Sequence, residues 1–316
     1  MKNIITALFL TALFFECTQN EEPQNEIDNI EPGTPILTEM RSFMFGHSLI
    51  VHATESDETT VPHWMYLLSQ QAGYSYGASG QYGFLPQHDD VPPISQWGFS
   101  QVPGIWESDI QPFSSADFNN VLITAGNFVQ WQAPSINYYN EDTSPVTSTL
   151  TIIDWVLEQE PTAAIYIYEN WPDMASYATE YPATRSEFDT YNDYTLGEFH
   201  SWWLEYQDTL IEARPDADIR MIPVGPILAD LFTETNLNQI AVEDLYEDND
   251  PHGRPTVYFL ASLVTYMATF GVEAPVDFEI PDTVSSIVKD NYEDVVTFIW
   301  EELQAFNDGQ NNSRVF

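Results

Sequence analysis

Two short segments carry side chains suited to acyl transfer. Phe43-Met44-Phe45-Gly46-His47-Ser48-Leu49-Ile50 places a serine just past an apolar run, on a turn opened by glycine. Far downstream, Asp248-Asn249-Asp250-Pro251-His252-Gly253 sets a histidine among carboxylates, ahead of a helical stretch starting at Pro255. A serine hydroxyl becomes a nucleophile when a base within hydrogen-bond reach takes its proton, and a carboxylate serves that base by orienting it and stabilising its charged form. Ser48 as nucleophile and His252 as general base are the candidate pair.

Competing chemistries lack their residues. A serine–lysine mechanism has no lysine to use beyond the leader except Lys289, which falls in a terminal helical pattern. With one cysteine and no His-Glu-x-x-His, neither a thiolate-rich zinc site nor the helical zinc template is present. Acidic pairs such as Glu141-Asp142 do not have EF-hand spacing. No Gly-x-Gly-x-x-Gly or Walker pattern occurs. No cofactor and no metal are expected.

The elements that must position Ser48 and His252 read as alternating strands and helices. Strands are expected at Arg41–Phe45, Tyr74–Ala78, Asn120–Thr124, Ala163–Tyr168 and Asp218–Ile222. Helical patterns cover Val61–Ala72, Val146–Gln159, Tyr194–Ala213, Pro255–Phe270 and a segment near Val284–Phe306. Glu160-Pro161 and Arg214-Pro215 stop two of the helices just before strands, as the steric restriction ahead of proline requires. This β-α order implies a parallel sheet in a three-layer α/β/α sandwich, in which ligands bind at the carboxyl ends of the strands. The stretch from Gly80 to Asp117, rich in proline, glycine and aromatics, is expected to be an ordered functional loop.

Four segments in order resemble the sequence blocks of the SGNH (GDSL-like) hydrolases: Gly46-His47-Ser48-Leu49, Ser79-Gly80-Gln81, Thr124-Ala125-Gly126-Asn127 and Asp248 to His252. The resemblance spans about Arg41 to Gly271 and implies a flavodoxin-like sandwich with a five-stranded parallel sheet, acting as an esterase through Ser48. It also implies an oxyanion hole made of the backbone N–H groups of Ser48 and Gly80 and the side-chain amide of Asn127. Such donors typically contribute about 3 to 4 kcal/mol each.

The chain departs from the pattern at three places. His47 replaces the usual Asp or Asn, Ala125-Gly126-Asn127 replaces Gly-x-Asn, and Asn249 rather than an aspartate lies three residues before His252. The orienting group is then Asp248, Asp250 or an uncharged Asn249. Asp248 is preferred, because a loop can take up one inserted residue, whereas Asp250 is close enough in sequence to be held beside the histidine backbone.

Trp97, Trp106, Trp131 and Trp171 follow strand ends and could line the same cleft. Aromatic faces in an open groove suit sugars, so Trp97, Trp131 and Trp171 are candidate substrate contacts and deacylation (deacetylation) of polysaccharides a candidate reaction. A non-catalytic carbohydrate-binding surface lipoprotein on the same fold is the alternative, and it requires Ser48 and His252 to be out of contact.

The chain has 316 residues, 43% of them hydrophobic, enough for a full core. Its 49 acidic and 8 basic residues leave a formal charge of -41, a field that repels nucleic acid and anionic lipid. Residues 1–16 have the short apolar core of an export signal, and Cys17 follows in a position resembling a lipoprotein lipobox. Residues 17–38 read as a flexible tether and 39–316 as one hydrolase domain. The expectation is an exported protein, an outer-membrane or periplasmic lipoprotein that touches membrane only through its anchor.

Overall fold

A computed structural model describes residues 37–52, 56–99, 101–126, 129–250 and 252–316. The expected signal segment, Cys17 with nearly all of the tether, and Asn127 lie outside the described residues.

Five apolar runs form the strands, and helices cover both faces of the sheet they make. In chain order the elements begin β1 (Glu39–Gly46), α1 (Val61–Ala72), β2 (Ser75–Tyr82), a one-turn α2 (Leu85–His88), β3 (Asn120–Ile123) and α3 (Pro145–Gln159). Next come β4 (Ala164–Glu169), α4 (Arg185–Tyr194), α5 (His200–Ala213), β5 (Ile219–Pro223) and α6 (Val224–Glu234). The chain ends with α7 (Val242–Leu245), α8 (Pro255–Phe270), α9 (Ser286–Asp290) and α10 (Tyr292–Ala305). The strands pair in the order β2-β1-β3-β4-β5, all parallel. This is the flavodoxin-like order, whose topological switch point lies between β1 and β3.

Because successive strand residues face opposite sides, β1, β3, β4 and β5 each feed two cores. Met40 and Met44 of β1, Leu122, Tyr166, Tyr168 and Ile222 pack with α1, α6, α8 and α10. Phe43, Phe45, Val121, Ile123, Ile165, Ile167 and Met221 pack with α3 and α5 on the other side. The result is the three-layer α/β/α sandwich.

Helix α8 is apolar all round, and every residue from Thr256 to Phe270 is buried, as such a helix must be. Its hydroxyls bond back within the helix: Ser262 Oγ donates to Tyr258 O at 2.6 Å and Thr265 Oγ1 to Ala261 O at 2.7 Å. The loop that supplies His252 is therefore anchored at its carboxyl end to one of the most deeply packed elements. No described helix is long and apolar enough to cross a membrane.

Several expected boundaries shift. Strand β2 continues through Gly80 to Tyr82, so the expected long loop begins inside a strand. The helix expected at Tyr194 starts earlier, at Arg185, and passes through a π turn at Thr195–Phe199 before α5. The segment expected as one helix near Val284–Phe306 is two, α9 and α10. Among the described residues, the β2-to-β3 connection carries the single turn α2 and a 3-10 turn at Phe113–Ser115.

The described part of that connection lies along the outer edge of β2. Gln96 N and Trp97 N donate to Gly80 O at 2.9 and 3.0 Å, and Ala78 N donates to Pro103 O at 3.1 Å. Edge strands expose unpaired backbone groups, and here the loop satisfies them. Gly77 and Gly80 permit the close approach: a Cβ on Gly77 would lie 2.5 Å from Ile105, and one on Gly80 2.4 Å from the Trp97 ring.

Candidate active site

Ser48 sits on the turn that follows β1, at the switch point. His47 builds that turn, with its carbonyl accepting from Ile50 N at 3.0 Å and Val51 N at 3.1 Å, and its ring Nδ1 accepting from Leu49 N at 3.3 Å. Asn170 Nδ2 lies 3.4 Å from His47 Nε2. Burial pushes the His47 pKa down to about 4, against a hydrogen bond to Ala125 that raises it, so the ring is neutral near pH 7. From α8, the Tyr258 hydroxyl donates to Ser48 O at 2.6 Å and fixes the turn from above.

His252 is held by its own loop. An antiparallel bridge joins Tyr246 to Gly253, and Glu247 N donates to His252 O at 2.9 Å. Inside this closed loop, Asp248 accepts twice: from His252 N at Oδ1 (3.0 Å) and from His252 Nδ1 at Oδ2 (2.6 Å). The other ring nitrogen, Nε2, lies 3.1 Å from Ser48 Oγ. A proton on Nδ1, held by the carboxylate, leaves the Nε2 lone pair facing the serine hydroxyl.

The alternative acids lie elsewhere. Asp250 is exposed, while the Asn249 side-chain oxygen is buried without a hydrogen-bond partner and its backbone carbonyl accepts from Met174 N at 3.1 Å.

A second histidine–carboxylate pair adjoins the first. His52 Nε2 is hydrogen-bonded to Glu247, and the His52 ring stacks on His252 with centroids 4.1 Å apart and planes inclined by 8°. His52, Glu247 and His252 each bring one possible metal-ligand atom within 4.8 Å of the others. An imidazole lone pair points along its ring plane at a metal about 2.0 Å away, so two rings stacked face to face cannot aim at one ion.

Gly80 does not join this arrangement. The register sets it opposite Met44, whereas Tyr82 is level with Gly46. Gly80 is thus two residues, roughly 7 Å, below the strand end that leads to Ser48. The expectation of an oxyanion donor at Gly80 is corrected to a packing role beneath Trp97. Asn127, the other expected donor, lies outside the described residues.

The tryptophans separate by environment. Trp171 is 1% exposed and stands edge-on to Tyr258 at 5.9 Å, so it supports the residue that holds the Ser48 carbonyl and is not a ligand platform. Trp106 is buried against Phe43 and Phe113 and likewise leaves the cleft. Trp97 is half-buried against Gly80 within β2 and Gly46 at the end of β1.

Trp131 is 77% exposed and borders a cavity of about 470 Å³, together with Gln130, Asp173, Ser176, Tyr177, Tyr194 and Glu198. The Tyr177 and Tyr194 rings stack there at 4.9 Å. This cavity opens beyond the carboxyl ends of β3 and β4. Asp173 on its rim precedes Met174, which is bonded to the Asn249 carbonyl of the histidine loop.

His47, His52, Glu247 and Tyr258 carry more of this geometry than the sequence reading assigned to them. The one signal for Tyr258 is its place in the first turns of the helix that follows His252.

No family model matches the chain, and no curated protein does. Among solved structures the chain is similar to a GDSL-like lipase of Parabacteroides merdae, with 11% identity over 75% of this chain and 99% of that one and a TM-score of 0.44. It is also similar to a carbohydrate esterase family 2 enzyme with a carbohydrate-binding domain from Corynascus, at 12% identity, 76% and 69% coverage and a TM-score of 0.37. A third is an acetyl-xylooligosaccharide esterase from Geobacillus, at 12% identity, 75% and 97% coverage and a TM-score of 0.37. Likenesses this distant decide nothing about activity.

Proposed function

We propose that the chain is a serine ester hydrolase. The observation that carries this reading is the continuous hydrogen-bonded path from Ser48 Oγ through His252 to Asp248. His252 Nε2 takes the hydroxyl proton as Ser48 Oγ attacks the ester carbonyl, and Asp248 stabilises the imidazolium that forms. His252 then protonates the departing alcohol, leaving an acyl group on Ser48. A water activated by the same histidine releases the acid and restores the hydroxyl. The Ser48 backbone N–H and the Asn127 amide are the proposed oxyanion donors.

For the substrate, the reading is an acyl group, such as acetyl, carried on a polysaccharide. The cavity at Trp131 supports it by combining an exposed ring with stacked tyrosines and a few polar groups, the composition that suits a sugar face. Asp173 and Glu198 at its rim, with the overall acidity, favour neutral or basic sugars over uronic acids. The proposed setting remains an exported, lipid-anchored protein with Cys17 as the lipidated residue. The binding-lipoprotein alternative needs Ser48 and His252 apart and finds no support in a 3.1 Å contact.

The test is turnover of a small activated acetate ester by the wild type and Ser48→Ala, followed by acetate release from acetylated neutral glycans. Release that depends on Ser48 supports the reading, and equal release by both proteins contradicts it.

A further inference from the structure

Resting on the reading of His252 as the general base, we propose that His52, pinned by Glu247, is a positioning residue that holds the His252 ring and restrains its protonation. Three observations bear on this. The two rings are nearly parallel at 4.1 Å. Glu247 adjoins Asp248 in the chain, so the two carboxylates hold the two rings from one loop. His52 itself is fixed at its backbone, where its N–H donates to Thr59 O at 3.0 Å, and its side chain is only 16% exposed.

Asp248 fixes one edge of His252 and Ser48 meets the opposite edge, which leaves rotation about the axis joining them and tilting of the ring. A flat partner on one face opposes both motions. The same contact couples the rings electrostatically, because a proton on one places positive charge 4.1 Å from the other. A proton on each ring at once would set two positive charges at that separation.

Among the described residues, these charged and titratable groups surround His52. Glu247 and Asp248 lie on the histidine loop, and Tyr258 comes from α8, where burial pushes its hydroxyl pKa well above the usual value. Asp57 and Glu58 precede Thr59 on the segment bonded to the His52 backbone. On the nucleophile side, His47 is neutral near pH 7.

His52→Ala removes both the stacked face and the neighbouring base, whereas His52→Phe keeps a face and removes the base. With a small activated acetate ester, His52→Ala is expected to lower kcat roughly 10- to 100-fold with little change in KM, the scale of a misplaced catalytic group. His52→Phe is expected to restore most of kcat and to move the acid limb of kcat/KM to higher pH, because no charge on a neighbouring ring then opposes the charge on His252.

The His252 ring resonances of Ser48→Ala, titrated with and without the added His52→Phe change, measure the same coupling without turnover. The proposal is overturned if His52→Ala keeps wild-type kcat and acid limb. It is equally overturned if Ala and Phe lose activity alike with the limb unmoved, or if His252 titrates identically in both NMR samples. Loss of turnover in Ser48→Ala alongside identical titrations would leave the esterase reading standing and remove this proposal alone.

Discussion

Asp248 grips His252 at two points, accepting from its ring Nδ1 at 2.6 Å and from its backbone N–H at 3.0 Å. A six-residue loop achieves this because Tyr246 and Gly253 pair as a bridge at its base. One carboxylate thus sets the position of the loop and the tautomer of the ring together. Neither Asn249 nor Asp250 makes such a contact, and the orienting function can be tested at the three positions separately.

Asp248→Asn is expected to lower kcat on an activated acetate ester roughly 10³- to 10⁴-fold, the range for losing an orienting acid. Asn249→Ala and Asp250→Ala should stay within a few-fold of wild type. Steady-state kinetics decide, and a silent Asp248→Asn with a large loss at Asp250 would reassign the acid.

Gly80→Ala separates packing from catalysis. An added Cβ would lie 2.4 Å from Trp97 and 2.8 Å from Met44 O. Overpacking of this kind typically costs about 1 to 3 kcal/mol, so urea unfolding should show that loss. The protein that remains folded should keep wild-type kcat, and a stable variant with kcat lost would return Gly80 to the oxyanion site.

How far the sequence carries depends on whether a feature is local. The strands are legible because apolar, β-branched and aromatic runs follow helix-stopping prolines such as Pro161 and Pro215. Helix α6 was not, since Val224-Gly225-Pro226 looks like a break. Proline is tolerated in a first helical turn, and Gly225 lets the helix approach the Asn170 carbonyl, where a Cβ would lie 2.5 Å away. Helix α4 is polar, and its mark is the capping box of Thr184 and Glu187. The contacts of Ser48 with Tyr258, and of His52 with Glu247 and His252, join segments about two hundred residues apart, where residue type and spacing give no guide. Asn127 and Cys17 lie outside the described residues.

Trp131→Ala is expected to leave hydrolysis of a small acetate ester unchanged and to raise KM for an acetylated neutral oligosaccharide roughly tenfold, equivalent to about 1.4 kcal/mol of binding. Parallel kinetics on the two substrates provide the check. Equal effects on both would mean that the ring supports the fold instead of the sugar.

His88 makes stability depend on pH. Burial lowers its pKa to about 4, against opposing bonds to the Gly83 and Gly46 carbonyls and the charge of Asp89. The folded state therefore binds fewer protons than the unfolded one, and stability present above the ordinary histidine value of 6.5 is lost as pH falls toward about 4. Measured against H88Q by urea unfolding, the wild-type difference should shrink by roughly 1.4 kcal/mol per pH unit in that window. A difference that does not change with pH would contradict the assignment.

The central claim is that Ser48, made nucleophilic by His252, hydrolyses esters. Its most direct measurement is the turnover of a small activated acetate ester by the wild type and Ser48→Ala across pH, with folding of both checked by circular dichroism. The account predicts turnover in the wild type, rising as His252 loses its proton, and none above background in Ser48→Ala. Equal turnover in both proteins, or none in either with both folded, would contradict it.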